Sequence, residues 1–220
     1  MPLNEALAHR VPIPVGDLGL EGDLHLPARA RGLVLFAHGS GSSRHSPRNL
    51  MVAERLHHRS LGTLLFDLLT PEEALVDERT RHLRFDLDLL TARMLGATAW
   101  ALRHPETEDL ELGYFGASTG AAAALMAAAE LGSEVAAVVS RGGRPDLAGA
   151  ALAKVQAPTL LIVGGWDPEV LALNRRALDL LPCEKALEIV PGATHLFEET
   201  GALERVADLA GAWFARHMGG

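Results

Sequence analysis

With 220 residues, 48% of them hydrophobic and 22% charged, the chain has the balance of a folded protein and enough apolar material for one sizeable core. Its formal net charge of −8 disfavours a nucleic-acid partner, and no basic run forms a local exception. A single cysteine, Cys183, excludes an internal disulfide and suits a reducing cytoplasm.

The first residues, MPLNEALAHR, lack a basic segment followed by an apolar core and do not read as a signal peptide. Residues 11–15 and 20–26 are candidate strands, and Pro12 and Pro14 confine the first to a sheet edge. Residues 32–37, GLVLFA, form the continuous apolar run of a strand buried on both faces. A helix is predicted over 47–59, with Pro47 suited to its first turn, and a strand over 63–68. Residues 82–103 read as one long helix, because Leu83, Leu87, Leu90, Met94 and Ala97 recur at three- and four-residue spacing. A strand over 110–115 leads into a helix over 119–131. That helix holds the longest apolar run, 121–129, far short of the ~20 residues of a membrane span. Strands over 135–139 and 158–163, a helix over 169–181, a strand over 185–190 and a helix over 202–217 complete the chain.

Strands alternating with helices imply βαβ units. The expected fold class is α/β: a single domain over residues 1–220, with a mostly parallel sheet of about eight strands and helices on both faces. An antiparallel pair should sit at one edge. In such sheets ligands bind beyond the carboxyl ends of the strands.

Three residues at those ends stand out. Gly116-Ala117-Ser118-Thr119-Gly120 is G-x-S-x-G between a predicted strand and a predicted helix. This spacing lets a serine hydroxyl project from a sharp turn, with glycines leaving room for strand and helix to pass. The competing reading makes Ser118 a helix N-cap. Asp167 follows the 158–163 strand and could cap the next helix, while His195 hangs in the loop after the 185–190 strand. Their order, Ser…Asp…His, is that of a hydrolase triad on this kind of sheet. Asp146 is the rival acid. After the 32–37 strand, His38-Gly39-Ser40-Gly41-Ser42-Ser43 is small enough for its backbone to reach a carbonyl oxygen. The backbone N–H groups of Ser40 and Thr119 are the expected oxyanion donors. His38 is expected to brace this loop. No lysine-bearing phosphate loop is present.

The segments HGSGSSRHSPRN, LLFDLLTPEE, GYFGASTGAAAAL, SRGGRPDLA, PTLLIVGGWDPEV and VPGATHLFEE resemble the α/β-hydrolase superfamily, and more narrowly the dienelactone-hydrolase-like family of small hydrolases. The resemblance runs from about residue 11 to 214. It implies the triad Ser118, Asp167, His195 and an ester or lactone substrate. Relatives of this kind also occur fused to phosphoribosyltransferase domains, and no such domain is read in these residues. Dienelactone hydrolase proper uses a cysteine nucleophile, whereas position 118 is serine, so a generic carboxylic ester hydrolase is the expected activity.

The chemistry expected is acyl transfer to water without metal or organic cofactor. Thioesterase, amidase and acyltransferase activities would use the same triad, and a non-catalytic ligand-binding scaffold is the alternative of a different class. The candidate cap over 70–80 is short and acidic, and 140–157 is the other insertion-sized segment, so no large lid is expected. Arg44, His45, Arg141 and Arg144 fall in predicted loops after strand ends. They would either bind an anionic group of the substrate or brace loops, as an Arg144–Asp146 pair would. The oligomeric state is left open by the sequence.

Overall fold

The computed structural model describes residues 6–219. Eight strands form one sheet: β1 (Leu7–Val15), β2 (Leu18–Leu26), β3 (Gly32–Ala37), β4 (Leu61–Phe66), β5 (Glu111–Ala117), β6 (Val135–Arg141), β7 (Thr159–Gly164) and β8 (Lys185–Val190). Their spatial order is β1-β2-β4-β3-β5-β6-β7-β8. The β1–β2 and β2–β4 pairs are antiparallel, and every other pair is parallel. The leading hairpin occupies one edge, where Pro12 and Pro14 remove no inter-strand donor that the sheet needs.

Central strands β3, β4 and β7 are buried at every residue. Helices cover both faces, so each side chain of these strands meets a helix whichever way it points. Helices α1 (Pro47–His57) and α6 (Ala202–His217) pack on one face, where Val52, Leu56, Val206 and Phe214 meet Val34, Phe36 and Phe115. Helices α3 (Leu87–Ala101), α4 (Thr119–Leu131) and α5 (Pro168–Leu180) cover the other, with Leu90, Met94, Ala122 and Ala177 against Leu35, Tyr114 and Val138.

Several strand bounds shift, among them β1, which starts at Leu7 and not at residue 11, and β4, which spans Leu61–Phe66 and not 63–68; two expectations change in kind. The predicted helix over 82–103 begins instead with a single 3₁₀ turn at Leu83–Phe85, and the α-helix starts after Asp86, whose carboxylate caps the Leu89 N–H at 3.0 Å. The segment read as a cap loop contains an additional helix, α2 (Pro71–Thr80). Its start is a reciprocal capping box: the Thr70 hydroxyl accepts from Glu73 N–H, and the Glu73 carboxylate accepts from Thr70 N–H. The sequence carries that signal as Thr-Pro-Glu-Glu, but α2 has little apolar stripe to betray it. Among the described residues no helix is long and apolar enough to cross a membrane.

On the α1 face, near the antiparallel edge, the His25 and His57 rings stack with centroids 3.7 Å apart and 9° between planes. His57 Nε2 is 2.8 Å from the Thr63 hydroxyl. Burial, then the charges of His25 and His58, pushes the His57 pKa down from 6.5 to about 4. The unfolded chain therefore binds more protons than the folded one between those values, and stability falls as pH drops through that window. The melting temperature of His57→Gln should lose less between pH 7.5 and pH 5 than that of the wild type; an equal loss would show that this imidazole is not the acid-sensitive group.

Candidate active site

The site begins with a backbone conformation. Ser118 sits between β5 and α4 with φ 49° and ψ −123°, a region that side chains other than glycine's rarely enter. The turn is held by its own backbone bonds: Ser118 N–H donates to the Arg141 carbonyl at 3.4 Å, and the Ser118 carbonyl accepts from Arg144 N–H at 3.0 Å. The flanking glycines are required by contact. A Cβ on Gly116 would lie 2.4 Å from Ala121 Cα, and one on Gly120 would lie 2.3 Å from the Ala37 carbonyl oxygen. Ser118 is the N-cap residue of α4 by position, but among the described residues its side chain forms no capping bond.

Asp167 is the N-cap residue of α5 by position, yet its carboxylate makes no cap bond. It turns instead to His195, with Oδ2 2.7 Å from Nδ1. The loops after β7 and β8 are stitched together for this meeting: Gly165 N–H donates to the Val190 carbonyl, and Trp166 N–H to the Ala193 carbonyl, both at 2.9 Å. Glu199 closes the His195 loop by accepting from the Thr194 hydroxyl and N–H at 2.6 and 3.1 Å. A side-chain carbon added at Gly142 would come within 3.6 Å of His195 Cε1. The imidazole thus sits beside the residue that follows Arg141, whose carbonyl holds the Ser118 N–H. The His195 side chain is 40% exposed and that of Asp167 15%, so the imidazole is open to solvent while its carboxylate is shielded. The rival acid is committed elsewhere: Asp146 receives two bonds from the Arg144 guanidinium, at 2.9 and 2.8 Å.

The two expected oxyanion donors lie together. Ser40 N–H donates to the Thr119 hydroxyl at 3.1 Å. His38 braces this loop from below: its Nε2 accepts from Leu68 N–H at 3.1 Å, which leaves Nδ1 to donate to the Gly39 carbonyl at 3.0 Å. Burial lowers its pKa, partly offset by the Gly39 carbonyl and Asp67, in keeping with a neutral ring. Above the loop lies a cavity of about 600 Å³, lined by Ser40, Arg48, Thr119, Leu68 and the inner side of α2. Asp77 of α2 accepts from Arg84 Nε at 2.5 Å and from Arg84 N–H at 3.1 Å. Burial raises the Asp77 pKa, but the Arg84 bonds outweigh it and hold the carboxyl below its ordinary value. Arg93 ties α2 to α3 through Glu73 at 2.6 Å.

The tentative substrate-binding residues separate here. Arg44 is buried, and its three guanidinium nitrogens engage Asp67, Asp23 at 3.2 Å and Glu21 at 2.5 Å, which ties its loop to β2 and to the residue after β4. His45 is exposed, 3.3 Å from Asp23. Arg141 lies in β6 and not in a loop, because its pairing with Ile162 and Ala117 prolongs the strand by two residues beyond the predicted end. It is buried, and among the described residues its side chain has no hydrogen-bond or ion-pair partner. Arg48, which lines the cavity, is a site residue that no sequence motif singled out. Among the described residues no cluster of three or more His, Cys, Asp or Glu could hold a metal ion.

An eight-stranded, mostly parallel sheet with this strand-to-helix serine turn defines an α/β-hydrolase. The fold is shared with Est1E from Butyrivibrio proteoclasticus, at 16% identity and a TM-score of 0.78 over 94% of this chain and 98% of that one. It is shared too with the dienelactone-hydrolase-like promiscuous phosphotriesterase P91 from metagenomic libraries, at 18% identity and 0.79 over 98% and 100%. More narrowly, a crystal structure of a dienelactone hydrolase from Anabaena variabilis superposes with a TM-score of 0.96 at 57% identity, covering 97% of this chain and 99% of that one. The chain belongs to the dienelactone-hydrolase-like family, a family of hydrolases. Two proteins of Mycobacterium tuberculosis, from strains CDC 1551 / Oshkosh and ATCC 25618 / H37Rv, are 57% identical over 210 residues, 96% of this chain. They are named as candidate phosphoribosyl transferases, and the chain spans about half (46%) of their length. No protein-family model matches the chain.

The positive φ of Ser118 carries a measurable cost. Ser118→Gly should raise the folding stability by about 1 kcal/mol, since glycine adopts this conformation without strain. Chemical denaturation checks this; a destabilised variant would mean that the turn is not strained.

Proposed function

We propose that the protein is a serine hydrolase that cleaves carboxylic esters or lactones of small substrates through an acyl-enzyme. The observation that carries this reading is the diversion of Asp167 from its helix cap to His195 Nδ1, at 2.7 Å, beside a serine whose hydroxyl is free of any cap role. A carboxylate on Nδ1 fixes the proton there and leaves Nε2 as the basic nitrogen.

In the proposed reaction His195 Nε2 takes the Ser118 proton as the hydroxyl oxygen bonds to the substrate carbonyl carbon. The carbonyl π electrons move to oxygen, where the Thr119 and Ser40 N–H groups receive the charge. Ser40 N–H must leave the Thr119 hydroxyl to do so. The tetrahedral species collapses, His195 returns the proton to the departing alkoxide, and an acyl-serine remains. Water, deprotonated by His195, then repeats the addition and releases the acid. The cavity of about 600 Å³ beside Ser40 and Thr119 suits a small or extended substrate, and α2 forms only a short roof over it. Thioester and amide cleavage or acyl transfer would use the same groups; a non-catalytic scaffold would not need the Asp167–His195 pair.

A fluorophosphonate probe should label wild-type protein and not Ser118→Ala. Hydrolysis of p-nitrophenyl acetate should fall about 10⁴-fold or more in kcat for Ser118→Ala. Asp167→Asn should lose about 10⁴-fold, and Asp146→Asn should stay near wild type. Wild-type protein that is neither labelled nor active on any ester would establish the scaffold instead; a near-wild-type rate for Asp167→Asn would remove Asp167 from the triad.

A further inference from the structure

Helix α5 buries two residues, Asn174 and Ala177, and Asn174 is sealed from solvent completely. An apolar side chain would fill such a position at less cost, because a buried amide gives up its hydration and regains only the bonds the interior offers. For Asn174 the return is partial. Nδ2 donates to the Val170 carbonyl at 2.8 Å and to the Gly143 carbonyl at 3.0 Å, while Oδ1 has no partner among the described residues. Two carbonyl acceptors around one atom identify it as the nitrogen. The Val170 carbonyl already receives a donor from the helix ladder. What the amide supplies that the helix lacks is the bond to Gly143.

Gly143 belongs to the segment that builds the nucleophile turn. Ser118 N–H donates to the Arg141 carbonyl and Arg144 N–H donates to the Ser118 carbonyl, so residues on both sides of Gly143 hold Ser118. The same segment meets the proposed base. A side-chain carbon on Gly142 would lie 3.1 Å from the His195 carbonyl oxygen and 3.3 Å from the Phe197 ring. Gly143 itself runs too close to α4 for any side chain: a Cβ there would collide with the Ser140 hydroxyl and the Ala121 methyl. Asp167 caps the start of α5 by position, and Asn174 follows two helical turns later on the same face. One helix therefore grips His195 through a carboxylate and the Ser118 turn through an amide.

We propose that Asn174 is a positioning residue of the reaction: by holding the Gly143 carbonyl it keeps Ser118 within the reach of His195 that proton transfer needs. This rests on the serine-hydrolase reading above. Asn174 acts through Gly143 and Arg144 on the Ser118 backbone. Its effect falls on the chemical step, where a small displacement of the nucleophile has a large cost in rate. Substrate binding in the cavity beside Ser40 and Thr119 does not pass through it. The half-satisfied amide is retained in the core because an apolar residue there would leave the Gly143 carbonyl unheld.

The test is Asn174→Leu, which keeps the size of the side chain and removes the donor. Sites are counted by the end point of fluorophosphonate labelling, and p-nitrophenyl acetate hydrolysis is measured per site. The variant's kcat should fall about tenfold or more with KM within about twofold of the wild type, and labelling should slow similarly yet reach completion. The acid limb of the kcat/KM pH profile should keep its midpoint, because the Asp167–His195 bond is untouched; a moved midpoint would mean that the change acts through the base and would overturn the assignment. Ala177→Gly, one turn further along α5, should lower the melting temperature and leave kcat unchanged, which separates positioning from lost stability. A folded Asn174→Leu with the wild-type kcat overturns the proposal, and Asn174→Ala decides in the same way if Asn174→Leu does not fold. Hydrogen exchange supplies a readout without turnover: the Ser118 and Arg144 amides should exchange about tenfold faster or more in Asn174→Leu, with the mid-helix amides of α5 unchanged. Such an acceleration in a protein inert to every ester would keep the hold of Asn174 on the turn and end the hydrolase reading. Ester hydrolysis with neither kcat nor exchange altered in the variant would do the reverse.

Discussion

A sheet buried on both faces leaves polar chemistry one place to go: past the last residue of each strand. In this chain β3, β4 and β7 have no exposed position, and the candidate triad and oxyanion groups follow from that constraint. Ser40 and His38 come after β3, Ser118 after β5, Asp167 after β7 and His195 after β8. Parallel pairing then brings these ends to one edge without any further device. Local backbone bonds do the final alignment, most visibly where two N–H groups of the loop after β7 donate to carbonyls at the end of β8 and in the loop beyond it, so that Asp167 meets His195.

The same constraint explains what could be read from the amino acids alone. Apolar runs locate buried strands, and strand ends locate the site; helix 119–131, strand 185–190 and helix 202–217 fall at their predicted bounds. The Ser, Asp and His at the proposed centre were legible because each is fixed by its own strand end. The partners of Arg44 were not, because Glu21 and Asp23 come from the antiparallel hairpin and Asp67 from beyond β4, and only the sheet order makes them neighbours. Helix α2 escaped because its start is a polar capping box and its faces are weakly distinguished, so the hydrophobic period that reveals other helices is missing. Arg48 escaped because lining a cavity is a property of the assembled loops and α1, which no local pattern records.

Charge in this protein is distributed with a purpose that net charge conceals. The chain carries eight more acidic than basic groups, and those around the site are largely spent on holding loops and the α2 roof in place. Against that background a buried guanidinium without a carboxylate is conspicuous. It shows why a count of charges near a site is less informative than an account of which charges are already answered.

The bond between Ser40 N–H and the Thr119 hydroxyl has a consequence for selectivity under the proposed reaction. The resting site supplies its own weak acceptor at one donor meant for the oxyanion. An incoming ester carbonyl is a similarly weak acceptor and gains little by displacing the hydroxyl. The negatively charged oxygen of the tetrahedral species gains much more. The hydroxyl therefore acts as a discount on ground-state binding that disappears as charge develops, which favours turnover over mere retention of substrate.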